Sequence, residues 1–261
     1  MSVTSRLRAW LRRRQPAPAS PMTARSAPAA QAPAPASDKR RSGSRLLHAM
    51  FGRQRSSIPL EQARLIVVDV ETTGLQVRRD PLLSVGAVVI EGLRLDLSQQ
   101  FERHVRADTT HVLDNILIHG LTPSDILRGE EPRQVLAEFI EFSRDSPLLA
   151  FRARFDEQVL RRSCRQHLGI RLRNTFIDIA ELAPALFPDR QPRTNTLDAW
   201  LTEFGIAVSV RHNAAADALA TAEFLLVLLH AARRQGIQDV DGLRRKIAIY
   251  QRHRIAQDQG V

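Results

Sequence analysis

The chain has 261 residues, 43% of them apolar, which suffices for a sizeable folded core, and no stretch approaches the ~18–20 uninterrupted apolar residues that span a bilayer. Its formal charge of +10 is lopsided: residues 1–55 hold 12 basic residues and one acid, residues 56–261 hold 26 basic and 27 acidic, so net charge does not mark the folded part as a nucleic-acid binder. One cysteine, Cys164, excludes an internal disulfide and a cysteine-rich zinc site and fits a reducing, cytoplasmic interior.

Residues 1–57 read as a disordered, basic, Pro/Ala-rich tail, because the Pro16–Pro35 stretch has few large apolar side chains to bury against its ordering entropy. Ser5–Arg14 and Arg45–Arg55 are basic segments that either stay solvated or become amphipathic helices on an anionic surface. The acid-poor start is equally compatible with an organellar transit peptide and a bacterial leader. A flexible arm with a net charge of +11 is also expected to hold a polyanion non-specifically.

The ordered domain is expected over 58–235, with a basic C-terminal helix at 236–261. Leu65–Val70 is a short apolar, β-branched run, the mark of a central strand buried on both faces. Leu82–Ile90 predicts a second strand, and Gly92 a turn into a third at about 95–105. Short turns between the three imply an antiparallel meander. From Val135 the apolar period becomes helical, Leu148–Ala150 is a short strand, and helices are predicted at about 156–167, 178–186, 195–204, 214–233 and 241–254. The last is basic from Arg233 to Arg254, with Leu243, Ile247 and Tyr250 on one face, and either docks on the domain or binds a polymerase. The pattern is α/β: a mixed sheet with antiparallel first strands, flanked by helices.

Asp69 and Glu71 end the central strand, and strand alternation puts them on one face. Two adjacent anions at a buried position are costly unless a cation neutralises them. Thr72-Thr73-Gly74 then turns the chain, leaving small side chains and free backbone N–H groups beside the acids. Asp156 alone reads as a helix N-cap. His212 and Asp217, five apart, are offset by about 140° on a helix; from the loop before the helix, His212 could instead lean over the place where Asp217 points.

In order, spacing and flanking residues, these segments resemble the DEDDh family of 3′→5′ exonucleases, which includes the proofreading epsilon subunit of bacterial DNA polymerase III. The first motif stands here as Val67-Val-Asp69-Val-Glu71-Thr-Thr-Gly74, the second as Phe155-Asp156-Glu-Gln-Val-Leu160, and the third runs from His212 to Ala222. Ile118–Thr122 resembles the family's linking loop, and Ile177–Leu182 and Thr196–Trp200 resemble its helical segments before the third motif. The likeness covers about residues 62–230. One departure is Phe151-Arg152, where the family usually has His-Asn; the polar brace that the asparagine gives the active-site loop would be missing, and Arg152 could reach a substrate phosphate.

The resemblance implies a ribonuclease H-like fold and hydrolysis of DNA 3′ ends to nucleoside 5′-monophosphates in replication or repair. It implies two Mg²⁺ or Mn²⁺ ions per site, held by Asp69, Glu71, Asp156 and Asp217, a choice that hard oxygen ligands also favour. His212 would be the general base, and Thr72, Thr73 and Leu75 would contact the terminal nucleotide. Expected partners are single-stranded or frayed 3′ ends, with a DNA polymerase in trans as a candidate. Two alternatives stay open: an exoribonuclease acting on RNA ends, and a catalytically silent nucleic-acid-binding module.

Overall fold

β1 (Arg64–Thr72) is a nearly unbroken apolar, β-branched run, and it takes the centre of the sheet, where both of its faces are covered. The computed structural model describes residues 57–107, 122–208 and 211–258. The tail, Ser57 apart, and residues 118–121 of the expected linking loop lie outside the described residues. β2 (Leu82–Glu91) pairs antiparallel with β1, and β3 (Arg94–His104) antiparallel with β2. β4 (Leu148–Ala150) adds to the other side of β1 in parallel, and β5 (Phe176–Asp178) to β4 in parallel. The order is β3-β2-β1-β4-β5, a mixed five-stranded sheet.

Two details differ from expectation. The link from β1 to β2 is the nine-residue segment 73–81 rather than a short turn, whereas Gly92 and Leu93, both at positive φ, do make the tight β2–β3 turn. β5 comes at the start of the helix expected from about 178 and is not among the expected strands, because three residues cannot establish a period of two.

Between β3 and β4 lie α1 (Pro123–Arg128), begun by a Thr122–Asp125 capping box, and α2 (Pro132–Ser143). α3 (Arg154–Ser163) follows β4 and widens into a π-helical turn at Cys164–Leu168. α4 (Ile179–Leu186), α5 (Leu197–Glu203), α6 (Ala214–Arg234) and α7 (Val240–Asp258) complete the chain. The helices expected at about 214–233 and 241–254 are α6 and α7: Gly236, at φ +80°, follows the end of α6, and α7 starts at Val240.

One sheet face, carrying Leu65, Val67, Val88, Ile90, Leu149 and Ile177, packs under α4, α5 and α6. Trp200 and Phe224 stack there, 5.7 Å between ring centroids. α6 is long and apolar enough to cross a membrane by length and composition, but most of it is buried against β1 and β2. α7 packs on α4 through a fully buried Leu243, and Arg254 reaches Glu181 at 3.2 Å. The start of the domain is tied to the start of α7: the Leu60 amide donates to the Gln238 carbonyl at 2.9 Å and the Val240 amide to that of Ile58 at 3.2 Å.

Candidate active site

The C-terminal end of β1 and the first turns of α3 and α6 meet at one edge of the fold. Asp69 and Glu71 share the β1 face that turns toward α6, and the strand register slips between Glu71 and Thr72, where Thr72 comes to pair with Leu82. Such an irregularity ends the regular pairing directly after the second carboxylate. Gly86 sits opposite Asp69 on β2 and lets the backbone of Ala214 lie directly on the sheet. That contact brings the first turn of α6, and with it Asp217, over β1.

As a result Asp69, Glu71 and Asp217 each bring a carboxylate oxygen to within 4.8 Å of the others. Glu71 and Asp217 are buried and Asp69 keeps partial access. Asp156 lies outside this trio and is not the cap of α3; Ala153 holds that position without a side-chain bond. The Asp156 carboxylate is buried and accepts the Val70 amide at 3.1 Å, at a point where β1 has run past the end of β4.

The electrostatics follow from the crowding. Burial, then the charges of Asp156 and Glu71, hold the Asp69 carboxyl well above the usual carboxylate range, with Arg211 pulling the other way. Burial also pushes Asp156 up to about 8, against the lowering effect of backbone amides that include Val70. Three carboxylates drawn this close, with the Asp156 charge acting on one of them, suit a hard divalent cation, and the all-oxygen donor set fits Mg²⁺ or Mn²⁺.

The other expected residues are placed as follows. His212 is in the bend before α6, exposed, with φ +59°, and its amide donates to Asp217 Oδ2 at 3.1 Å. Thr72 and Thr73 are buried. The Thr72 hydroxyl donates to the Gly74 carbonyl at 2.5 Å, and the Thr73 amide donates to Pro81, so that amide is not free as the turn suggested. Leu75, by contrast, is 87% exposed, a large apolar side chain four residues beyond Glu71.

Two residues escape a reading of the sequence alone. Arg211 forms an ion pair with Asp217 and another, at 2.5 Å, with Asp198. No local pattern flags an arginine that precedes a histidine. Asp178 caps α4 by accepting the Ala180 amide at 2.9 Å, and the same oxygen accepts the Arg152 amide at 3.0 Å. An acid before an apolar helical run was the available signal. Asp178 braces the turn before α3, the task expected of the absent asparagine. Arg152 has φ +62°, and its guanidinium donates to the Asn195 carbonyl at 3.0 Å. Asparagine tolerates that backbone conformation better than arginine does, a physical reason for the asparagine that the resemblance leads one to expect at this place.

Comparison with known proteins agrees with this geometry. The pattern of the RNase_T exonuclease family matches residues 66–225. The chain is 35% identical over 185 residues to the PolC-type DNA polymerase III of Halalkalibacterium halodurans, covering 69% of this chain and 12% of that protein. With the Bacillus subtilis counterpart it shares 31% over 200 residues, covering 75% and 14%. The chain thus spans about an eighth of the length of these relatives. Among solved structures, Escherichia coli exonuclease I bound to a dT13 oligonucleotide superposes with a TM-score of 0.57 at 20% identity, over 67% of this chain and 42% of that one. Its zinc-bound complex with single-stranded DNA gives 0.58 at 19% identity, over 66% and 42%. The fold is the ribonuclease H-like arrangement of these exonucleases.

Proposed function

Because the chain belongs to the RNase_T exonuclease family, we propose that it is a 3′→5′ exonuclease that removes nucleoside 5′-monophosphates from DNA 3′ ends, with Asp69, Glu71, Asp156 and Asp217 holding two Mg²⁺ or Mn²⁺ ions. The observation that carries this reading is the trio of carboxylate oxygens within 4.8 Å, with the Asp156 charge raising Asp69 from beside it. Bound divalent ions supply Lewis acidity, favouring ionisation of the attacking water and offsetting charge on the leaving 3′-oxygen.

The chain's own groups do the rest. His212, exposed at the head of α6, takes the proton of the attacking water; its backbone amide, fixed to Asp217, holds it next to the acids. Leu75 presents an apolar surface on which a terminal base can pack, and the inward-turned Thr72 and Thr73 leave space for the sugar. The trio opens to solvent through Asp69, so a frayed or single-stranded end has access.

The PolC-type relatives are polymerases, which supports a place in replication or repair, in the cytoplasm, beside a DNA polymerase acting in trans. Digestion of matched DNA and RNA oligonucleotides, labelled at either end, with Mg²⁺, Mn²⁺ or chelator, tests the reading. The expected result is stepwise shortening of 5′-labelled DNA and release of mononucleotide from its 3′ end, abolished by chelator. Faster loss of RNA would move the substrate class to RNA ends, and no hydrolysis with either metal would reduce the protein to a binding module.

A further inference from the structure

Around the end of the sheet from the carboxylates lies a cavity of about 340 Å³. Arg78, Arg79, Arg106, Arg162 and His167 line it, and among the described residues no carboxylate does. That concentration of cations stands out in a body where 26 basic residues face 27 acidic ones. Arg162 is half-buried and donates to the backbone carbonyls of Val77 and Asp80, so its charge is fixed in the wall. Arg106 is steadied by the Gly129 carbonyl at 3.1 Å and by Glu131 at 2.9 Å. Arg78 and Arg79 are exposed, and among the described residues no acid pairs with either. Burial and then the Arg162 charge hold the His167 imidazole below its usual range.

The cavity is tied to the carboxylate site by chain geometry. Leu82, in its lining, is the β2 partner of Thr72. The segment 73–81 leaves the acids at Thr73, exposes Leu75, and presents Arg78 and Arg79 to the cavity, with at most about 21 Å of extended chain between Thr72 and Arg78. Arginine forks match phosphate oxygens; Arg106 and Arg162, already held in the wall, lose little entropy on binding them, and Arg78 and Arg79 add exposed positive charge.

We propose that this cavity binds a backbone phosphate of the polynucleotide upstream of the end being cleaved, so that 73–81 is a bridge between terminal-nucleotide recognition and a second, electrostatic anchor. The assignment of a polynucleotide end to the carboxylates rests on the function proposed above. The cavity gives the chain affinity for length, where the acids alone grip only the terminus.

The test uses the full chain and the double variant Arg78→Ala, Arg79→Ala, both exposed and remote from the carboxylates. Fluorescence anisotropy in chelator, with labelled thymidine oligonucleotides of two and twelve nucleotides, reads binding without hydrolysis. The expected result is about tenfold weaker binding of the 12-mer, a salt slope lower by about 0.7 for one phosphate of a single strand no longer neutralised, and an unchanged 2-mer. The Arg78→Lys, Arg79→Lys variant should recover most of the affinity. Equal weakening of both lengths, or an unchanged 12-mer, would overturn the proposal. In a parallel titration with inorganic phosphate, binding that disappears in the double variant while the 12-mer is unaffected would make the cavity a free-anion site and overturn it too. Absence of nuclease activity in the wild type would sink the exonuclease reading while leaving the anisotropy result to judge the cavity.

Discussion

Gly86 and Ala214 touch backbone to backbone: a methyl group at residue 86 would lie 2.2 Å from the Ala214 carbonyl carbon. Since Gly86 is the rung opposite Asp69 and Ala214 opens α6, this one contact sets the distance between the β1 acids and Asp217. Gly86→Ala must lift α6 by displacing backbone, with an overpacking cost of about 1–3 kcal/mol or more. The expected outcome is a Tm several degrees lower and loss of the Mn²⁺-induced rise in Tm, measured by thermal unfolding with and without metal. A variant that keeps the full metal response would detach the glycine from the site.

His212→Ala is expected to lower kcat by about 10²–10⁴ while leaving oligonucleotide affinity in chelator near the wild-type value. Single-turnover kinetics alongside anisotropy separate the two. Wild-type turnover in this variant would assign the proton to another acceptor.

Arg211 competes with any cation for Asp217. Arg211→Ala removes that competitor and a repulsive charge, so Mn²⁺ affinity should rise about fivefold or more, while the metal-free protein loses stability. Isothermal titration and a metal-free melt check both halves. Unchanged or weaker Mn²⁺ binding would mean that the ion pair orients Asp217 for the metal rather than blocking it.

Asp69 and Asp156 hold their protons to higher pH in the folded, metal-free protein than in the unfolded chain, Asp156 to about 8. Between about pH 4 and 8 the folded state therefore binds more protons, and stability must fall as pH rises through that window. A divalent ion displaces those protons, so its stabilising effect should grow over the same range. Melts in chelator and in Mn²⁺ from pH 5 to 8 should diverge upward in pH; curves that stay parallel would contradict the raised carboxyls.

Arg152→Asn should stabilise the protein, because an arginine at φ +62° costs about 1–2 kcal/mol in the left-handed region and asparagine less. Against that gain stands the exposed hydrogen bond from the Arg152 guanidinium to the Asn195 carbonyl, which the shorter side chain gives up. A lower Tm would show that this bond outweighs the backbone cost.

The strand pattern made Asp69 and Glu71 legible, since alternation along β1 forces both to one face whatever surrounds them. Asp156 was visible only through the resemblance. Its burial comes with a bond to Val70, 86 positions away in sequence, and nothing near residue 156 encodes that partner. Arg211 and the double duty of Asp178 were hidden for the same reason: both are pairings across elements. The meander was legible in its order but not in the 73–81 link, whose mostly polar residues carry no period. Thr122 and Asp125, three apart, are a start signal for α1, but a six-residue helix is too short to repeat an apolar period behind it.

The clasp between Ile58–Leu60 and Gln238–Val240 bears on how the protein can be cut. A fragment stopping at residue 235 leaves the Leu60 amide without its acceptor and bares the apolar bed under Leu243, so it should be prone to aggregation. A fragment from Ser57 to Asp258 retains both ends of the fastening, and it is the piece to express when the exonuclease body is wanted without its basic arm.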